Sequence, residues 1–118
     1  MKTLFKTVIQ NPYNLSNRSA EEELFPAADY EKMGIMTYST LAAGLLSGAF
    51  AHGKPAPEKS TWGYDPVYQA YQKQVFPGKI ELLVNAVSNL AEKYSVSSAA
   101  VATAWVLRNK QVICAAKK

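Results

Sequence analysis

The chain of 118 residues contains only one cysteine, Cys114, and only one histidine, His52. A single cysteine excludes an internal disulfide and favours a reduced, cytoplasmic setting. Because no second His or Cys lies near His52, we expect a solvated loop residue there and predict no metal site. Cys114 lies in the apolar run 112–116, which predicts a small buried side chain rather than a nucleophile.

The sequence also lacks long apolar runs and clustered positive charge. No stretch approaches the ~20 apolar residues that a membrane-spanning helix needs, and the basic first residues are too short and polar for a signal peptide. The net charge is +4, but the lysines are scattered along the chain. Scattered charge indicates a solvated surface, so we predict neither a membrane nor a nucleic-acid partner. The length predicts one domain, residues 1–118.

Three short runs typical of buried strands occur at residues 7–10, 35–38 and 112–116. Between the first two runs, Ser19 and Glu22 have the spacing of a capping box and predict a helix start. Pro26 is expected to kink this helix or delay its start, and Gly34 is expected to end it in a left-handed conformation.

The second half of the chain predicts mostly helices. Residues 41–62 have the composition of a long loop, and Asp65 with Pro66 is expected to open a short helix. Residues 79–94 predict an amphipathic helix, and Ser97 is expected to cap the helix that follows it. The predicted core-facing stripe of the first of these two helices consists of Ile80, Leu83, Val87, Leu90, Ala91 and Tyr94.

Strands that alternate with helices and are apolar on both faces predict an α/β fold with a parallel sheet. Two architectures fit this order, an open doubly wound sheet and part of a (β/α)₈ barrel. In both, ligands bind at the carboxyl ends of the strands. Gln10 closes the first predicted strand, Tyr38 and Ser39 the second, and Lys117 the third. We therefore expect these polar residues at one edge of the sheet.

The segment 39–48, which follows the second strand, is rich in small residues. Small residues let a ligand approach the backbone, whose N–H groups can hold anionic oxygens. Tyr38 offers a flat face for stacking, Gln10 an amide that donates and accepts, and Lys117 a cation suited to a phosphate. Together these features indicate a dinucleotide, although neither GxGxxG nor GxxxxGKS occurs. The alternative is a glycine-rich connector above an ordinary core, with Tyr38 as a buried aromatic residue.

Several motifs resemble those of the aldo/keto reductase family. They are Gln-Asn-Pro-Tyr-Asn at 10–14, Asn-Arg-Ser at 17–19, Tyr-Ser-x-Leu-Ala-x-Gly-Leu-Leu-x-Gly at 38–48, and the helical run 82–112. The resemblance covers about residues 8–113. It is greatest to the branch that includes potassium-channel β subunits and bacterial general-stress reductases.

This resemblance implies a (β/α)₈ TIM barrel that binds NADP(H) in extended form and reduces aldehydes and ketones. The three strands would correspond to the sixth, seventh and eighth of the barrel, so the chain would be its C-terminal, cofactor-binding part. By resemblance, Gln10 would bond the nicotinamide carboxamide and Tyr38 would stack on the nicotinamide ring.

The phosphates of the cofactor would lie farther along the same loop. The resemblance implies that Ser39, Leu41 and Gly44 lie along the pyrophosphate and that Lys117 meets the 2′-phosphate. Thr40 stands where the family usually has proline. The end of the chain also departs from the Gly-containing exit of the last strand in the nearest relatives.

The family's catalytic Asp, Tyr, Lys and His match no position of this sequence, so we assign no catalytic residue. The resemblance therefore implies a fragment of an NADP(H)-dependent oxidoreductase acting on a small carbonyl substrate. The alternatives are an inactive cofactor-binding or regulatory module and one half of a split enzyme. Three strands cannot close a barrel, and another chain that covers the open sheet edges is a further expected partner.

Overall fold

The computed structural model describes residues 7–116, without the side chains of residues 71, 72 and 75–77. Within residues 7–116, three parallel strands form one sheet in the order β1-β2-β3. Their bounds are Val8–Pro12 for β1, Gly34–Tyr38 for β2 and Val112–Ala115 for β3. This sheet confirms the prediction of a parallel α/β fold, and β1 runs two residues beyond its predicted end.

Five α-helices connect the strands. They are α1 (Leu24–Tyr30), α2 (Thr61–Tyr64), α3 (Pro66–Val75), α4 (Glu81–Lys93) and α5 (Ser98–Leu107). Short 3₁₀ turns occur at Ser19–Glu21, Ala42–Ser47 and Ala51–Gly53, and a π turn at Phe76–Ile80 leads into α4. None of the helices in residues 7–116 has the length and apolar character needed to cross a membrane.

The helices cover one face of the sheet. Ile35 is fully buried beneath them, and its neighbour Ile9 packs on the same apolar cluster. We call this group the sheet cluster; its buried members are Tyr13, Ala20, Phe25, Ala28, Ile35, Val106 and Val112.

The other face of the sheet is open among the described residues. We expected strands buried on both faces, but Val8 and Ile113 are 40% and 47% exposed. The predicted burial of Cys114 is wrong, because this residue pairs with Met36 on the open face and is exposed. Helices pack on the opposite face only, so every second side chain of β1 and β2 remains accessible. In β3, where the register with β2 shifts, the consecutive residues Ile113 and Cys114 are both exposed.

A second apolar group lies under the segment that follows β2, between this segment and the helices α2, α4 and α5. We call it the loop cluster; its buried members are Leu45, Leu46, Phe50, Ala51, Trp62, Val84, Val87 and Ala102. The segment predicted to be a plain loop therefore carries part of the core.

The start of α1 differs from the capping-box prediction. Ser19 begins a 3₁₀ turn, and its hydroxyl donates to Asn17 Oδ1 at 2.9 Å instead of capping a helix. The helix starts late, at Leu24, as expected from Pro26, which falls in its first turn where a missing N–H is tolerated. The expected left-handed Gly34 is wrong: Gly34 begins β2, and Lys32 takes the left-handed conformation with φ 58°.

The later helix boundaries follow their predicted signals more closely. The Ser97 hydroxyl accepts a hydrogen bond from Ala100 N at 3.0 Å and caps α5 as predicted. Pro66 is the first residue of α3, which extends beyond the predicted end of that helix. In α4 the predicted stripe is partly wrong, since Leu90 and Tyr94 are exposed. The buried side chains of α4 are Val84, Val87, Ser88 and Ala91.

Candidate functional site

The carboxyl ends of the three strands are joined by hydrogen bonds. Tyr13 N donates to Tyr38 O at 3.2 Å, which links the exits of β1 and β2. Thr40 donates to Ala116 O through its backbone N–H at 3.2 Å and through Oγ1 at 2.7 Å, which links the exits of β2 and β3. The three exits therefore form one rim, where parallel α/β folds bind ligands.

Gln10 and Tyr38 lie on the same face of the sheet. Gln10 pairs with Met36, and Pro12 pairs with Tyr38, so strand alternation places Gln10, Met36 and Tyr38 together on the open face. Gln10 is exposed and lies in the middle of β1 instead of at its end. Tyr38 is 42% exposed at the last position of β2. The structure thus brings the predicted amide and the predicted stacking ring to one accessible surface.

The backbone that follows Tyr38 adopts left-handed conformations at several residues. The φ angles are 58° at Ser39, 49° at Ala42, 55° at Ala43 and 99° at Gly44. Left-handed residues other than glycine are uncommon, and clusters of them occur at ligand-binding sites more often than elsewhere. Glycine suits position 44 because a φ of 99° is one that other residues rarely adopt. Lack of space is not the reason, since an added Cβ would meet no atom within 4 Å.

The hydrogen bonds inside this segment decide which of its N–H groups remain for a ligand. Ala42 N donates to Ser39 O at 2.9 Å, and Gly44 N donates to Leu41 O at 2.9 Å. The N–H of Gly44 is therefore used within the loop. Among residues 7–116, the N–H groups of Ser39 and Leu41 and the hydroxyl of Ser39 donate to no protein acceptor. Together with the N–H of Ala43, which also donates to no acceptor among residues 7–116, they are the candidate donors of this loop for an anionic oxygen.

Asn14 is a residue of this site that sequence reasoning did not single out. Its side chain is buried, and Nδ2 donates to Ser39 O at 2.9 Å. Its Oδ1 accepts from Ser16 N at 2.8 Å, from Ser16 Oγ at 2.6 Å and from Asn17 N at 2.9 Å. Asn14 therefore ties the turn after β1 to the loop after β2. Its position in the polar run after the strand, typical of an Asx turn, was the available signal.

A cavity of about 630 Å³, within the size range of small-molecule sites, adjoins the loop. Ser39 belongs both to this cavity and to the rim of the sheet, whereas Gln10 and Tyr38 do not line it. The lining residues are Ser16, Asn17, Ser39, Ala42, Ala43, Leu45, Trp62, Val67, Tyr68 and Ile80. Trp62 was not predicted to contribute, because it lies in a segment without periodicity.

Behind the rim, Tyr13 is fully buried between the rings of Phe25 and Trp105, with centroids 4.7 and 5.0 Å away. Its hydroxyl donates to Glu21, and burial together with this bond raises the pKa of Tyr13 to about 12. Arg18 bonds the same carboxylate at 2.8 Å, which with the Tyr13 bond lowers the pKa of Glu21. The buried phenol therefore keeps its proton near neutral pH.

Two predicted features lie elsewhere. Lys117 falls outside the described residues. His52 lies in the loop with its side chain 46% exposed, and its Nε2 is 3.8 Å from Glu92 Oε1. Within residues 7–116, no three His, Cys, Asp or Glu side chains cluster closely enough to hold a metal ion.

A three-strand parallel sheet, with an exposed amide, a tyrosine and a left-handed loop toward its carboxyl edge, defines an α/β protein with a candidate site at the strand ends. Residues 5–117 match the sequence profile of the aldo/keto reductase family. The chain belongs to the aldo/keto reductase family.

Particular relatives agree with this assignment. Protein tas of Escherichia coli is 34% identical over 102 residues, which cover 85% of this chain and 28% of that protein. A second relative is a rice protein (Oryza sativa subsp. japonica) named "Probable voltage-gated potassium channel subunit beta". It is 29% identical over 107 residues, which cover 89% of this chain and 32% of the rice protein. The chain therefore spans about a third or less of the length of these relatives.

The fold agrees as well. The structure of the glycerol dehydrogenase AKR11B4 from Gluconobacter oxydans superposes with a TM-score of 0.67 at 30% sequence identity. The superposition covers 94% of this chain and 33% of the dehydrogenase. The described sheet is thus similar to a portion of an aldo/keto reductase barrel.

Proposed function

We propose that the chain is the cofactor-binding part of an NADP(H)-dependent oxidoreductase that reduces aldehydes or ketones. The observation that carries this proposal is the register of β1 and β2. It places Gln10 and Tyr38 on one accessible face, directly before the left-handed loop. Membership of the aldo/keto reductase family supports the choice of a nicotinamide nucleotide.

The residues at this edge fit an extended dinucleotide. Tyr38 offers its exposed ring for stacking on the nicotinamide, and the Gln10 amide can both donate to and accept from the carboxamide. The pyrophosphate would lie along Ser39, Leu41 and Gly44. Ser39 and Leu41 supply N–H donors there, and Gly44 supplies close backbone approach. When bound, the cofactor supplies hydride to a carbonyl carbon.

In this proposal, binding of the cofactor's 2′-phosphate depends on Lys117. A cation just after β3 would meet the 2′-phosphate and favour NADP(H) over NAD(H). This role comes from the family resemblance and is a proposal, as is the cytoplasmic location suggested by the single cysteine.

The arrangement of the domain is part of the same proposal. The strands β1, β2 and β3 correspond to the sixth, seventh and eighth of a (β/α)₈ barrel, and residues 1–118 form one partial domain. The relatives are about three times as long, which supports a fragment of the barrel. We assign no catalytic residue, because no position matches the family's Asp, Tyr, Lys and His.

A nucleotide titration tests the cofactor site. We expect NADPH to quench the tryptophan fluorescence of the purified chain with saturation. Tyr38→Ala should weaken binding roughly ten-fold, because the stacking surface is removed. Tyr30→Ala is the matched control, since Tyr30 is 84% exposed on α1, away from the strand ends.

Two results would contradict the proposal. Equal weakening by both tyrosine variants would place the nucleotide elsewhere. Turnover of a simple aldehyde by the chain alone would show that the catalytic groups are present after all. A stable folded chain that binds NADPH without turnover would also suit an inactive cofactor-binding or regulatory module.

A second candidate is one half of a split enzyme, and the sheet edges favour it. Within the described residues, β1 and β3 each pair with a strand on one side only. Val8 of β1 and Ile113 of β3 are exposed. A partner chain that carries the remaining strands would cover these edges. Mixing with such a chain should restore carbonyl reduction, and a neighbouring reading frame that encodes the Asp-Tyr-Lys-His half would identify it.

A further inference from the structure

The left-handed loop that follows β2 is held by side chains from two distant segments. Asn14 Nδ2 donates to Ser39 O at 2.9 Å, and Trp62 Nε1 donates to Ala43 O at 2.6 Å. Both carbonyls belong to residues with φ near 60°. A left-handed conformation is unfavourable for a residue other than glycine and persists only where its surroundings enforce it. The two donors therefore act on the strained positions of the loop.

Trp62 is itself firmly positioned. It is 3% exposed, and its ring meets the rings of Phe50 and Tyr68 edge-on, at 6.0 and 4.9 Å. The next residue, Gly63, lies so close to Pro57 that an added Cβ would approach Pro57 O to 2.0 Å. This packing therefore orients the indole N–H toward Ala43 O.

Both partners of this indole bond, Trp62 and Ala43, line the cavity beside the loop. Ser39, Ala42 and Tyr68 line the same cavity. Loss of the bond would leave the carbonyl of a left-handed residue without its donor, while the apolar packing of Trp62 in the loop cluster would remain. Ala43 is exposed, so water would replace the lost donor, and the loop would then be free to adopt other conformations.

We propose that Trp62 is a positioning residue that fixes the loop 39–44 in its ligand-ready conformation, with Asn14 as the second point of attachment. Trp62 does not touch the nucleotide in this proposal; it acts through the Ala43 carbonyl. The consequence for nucleotide affinity rests on the function proposed above. The fixing of the loop itself does not.

Trp62→Phe is the direct test, because it keeps an aromatic ring and removes the N–H donor. The matched control is Trp105→Phe, which changes the only other tryptophan, stacked on Tyr13 in the sheet cluster. The readout is amide hydrogen exchange of the chain without nucleotide at Ala42, Gly44 and Leu46, whose N–H groups are bonded inside the loop.

We expect Trp62→Phe to accelerate exchange at these amides roughly ten-fold or more while the amides of α5 stay protected. Trp105→Phe should leave the loop amides unchanged. Unchanged loop exchange in Trp62→Phe would overturn the proposal. Equal acceleration throughout the chain would also overturn it, since that result reports global destabilisation.

NADPH titration separates this inference from the proposed function. If the parent chain binds NADPH, Trp62→Phe should weaken binding roughly ten-fold, and unchanged affinity with accelerated exchange would overturn the positioning role. If the parent chain does not bind NADPH, the proposed function fails. The exchange experiment then still decides whether Trp62 fixes the loop.

Discussion

The sheet cluster and the loop cluster are both apolar and well buried, but they are organised by different means. The sheet cluster joins regular elements: β1, β2 and β3 contribute through their alternation, and α1 and α5 through their packed faces. The loop cluster forms around a segment with left-handed residues, where side chains bond to backbone carbonyls. Periodicity positions the first cluster, and individual hydrogen bonds position the second.

Large-to-small substitutions should expose this difference most strongly. Ile35 and Leu46 are 0% and 1% exposed, so Ile35→Ala and Leu46→Ala should each lower the free energy of unfolding by about 2–5 kcal/mol. Amide exchange should distinguish them. Ile35→Ala should release amides throughout the sheet, whereas Leu46→Ala should release mainly those of residues 39–68. Identical exchange patterns would show that the two clusters unfold as one unit.

A substitution at Gly63 tests the support of the loop cluster. The Cβ of Gly63→Ala would lie 2.0 Å from Pro57 O, so the backbone must move, at a cost of about 3 kcal/mol in urea unfolding. Gly78→Ala is the control, since Gly78 has φ 89° but no atom within 4 Å of an added Cβ. The control should lose only about 1 kcal/mol. Equal losses would mean that the contact with Pro57 does not constrain α2.

Alkaline unfolding tests the sheet cluster through Tyr13, whose pKa rises from 10.0 to about 12 on folding. A raised pKa stabilises the fold fully below pH 10, and this contribution is lost between pH 10 and 12. At pH 11 the loss relative to pH 8 should be about 1 kcal/mol larger in the parent chain than in Tyr13→Phe.

The control for this measurement is Tyr30→Phe, because Tyr30 is 84% exposed on α1. It should follow the parent chain across the whole pH range. A parent chain whose pH dependence equals that of Tyr13→Phe would show that the buried phenol does not contribute.

The difference between the sheet cluster and the loop cluster also explains which features could be predicted from the sequence. Apolar runs located the three strands and their parallel order, and Ser97 located the start of α5. The capping box predicted at Ser19 was wrong because its hydroxyl donates to Asn17. The predicted burial of Leu90 and Tyr94 was wrong because the periodicity of α4 does not reveal which of its faces packs against a neighbour.

The site was predictable only where it follows the strands. The shared face of Gln10 and Tyr38 follows from register and alternation. The bonds of Asn14 and Trp62 to loop carbonyls join residues that no local pattern relates, separated by 25 and 19 positions. Such contacts depend on the folded arrangement of several segments, which single-sequence patterns do not encode.

The central position of β2 also sets an order of assembly. Its contact with the turn after β1 spans 25 positions, from Asn14 to Ser39, whereas its contact with β3 spans 77, from Thr37 to Cys114. Closing the longer loop costs about 1 kcal/mol more entropy. We therefore expect β1 and β2 to associate early in refolding, and β3 to dock last, after the helices between them have formed.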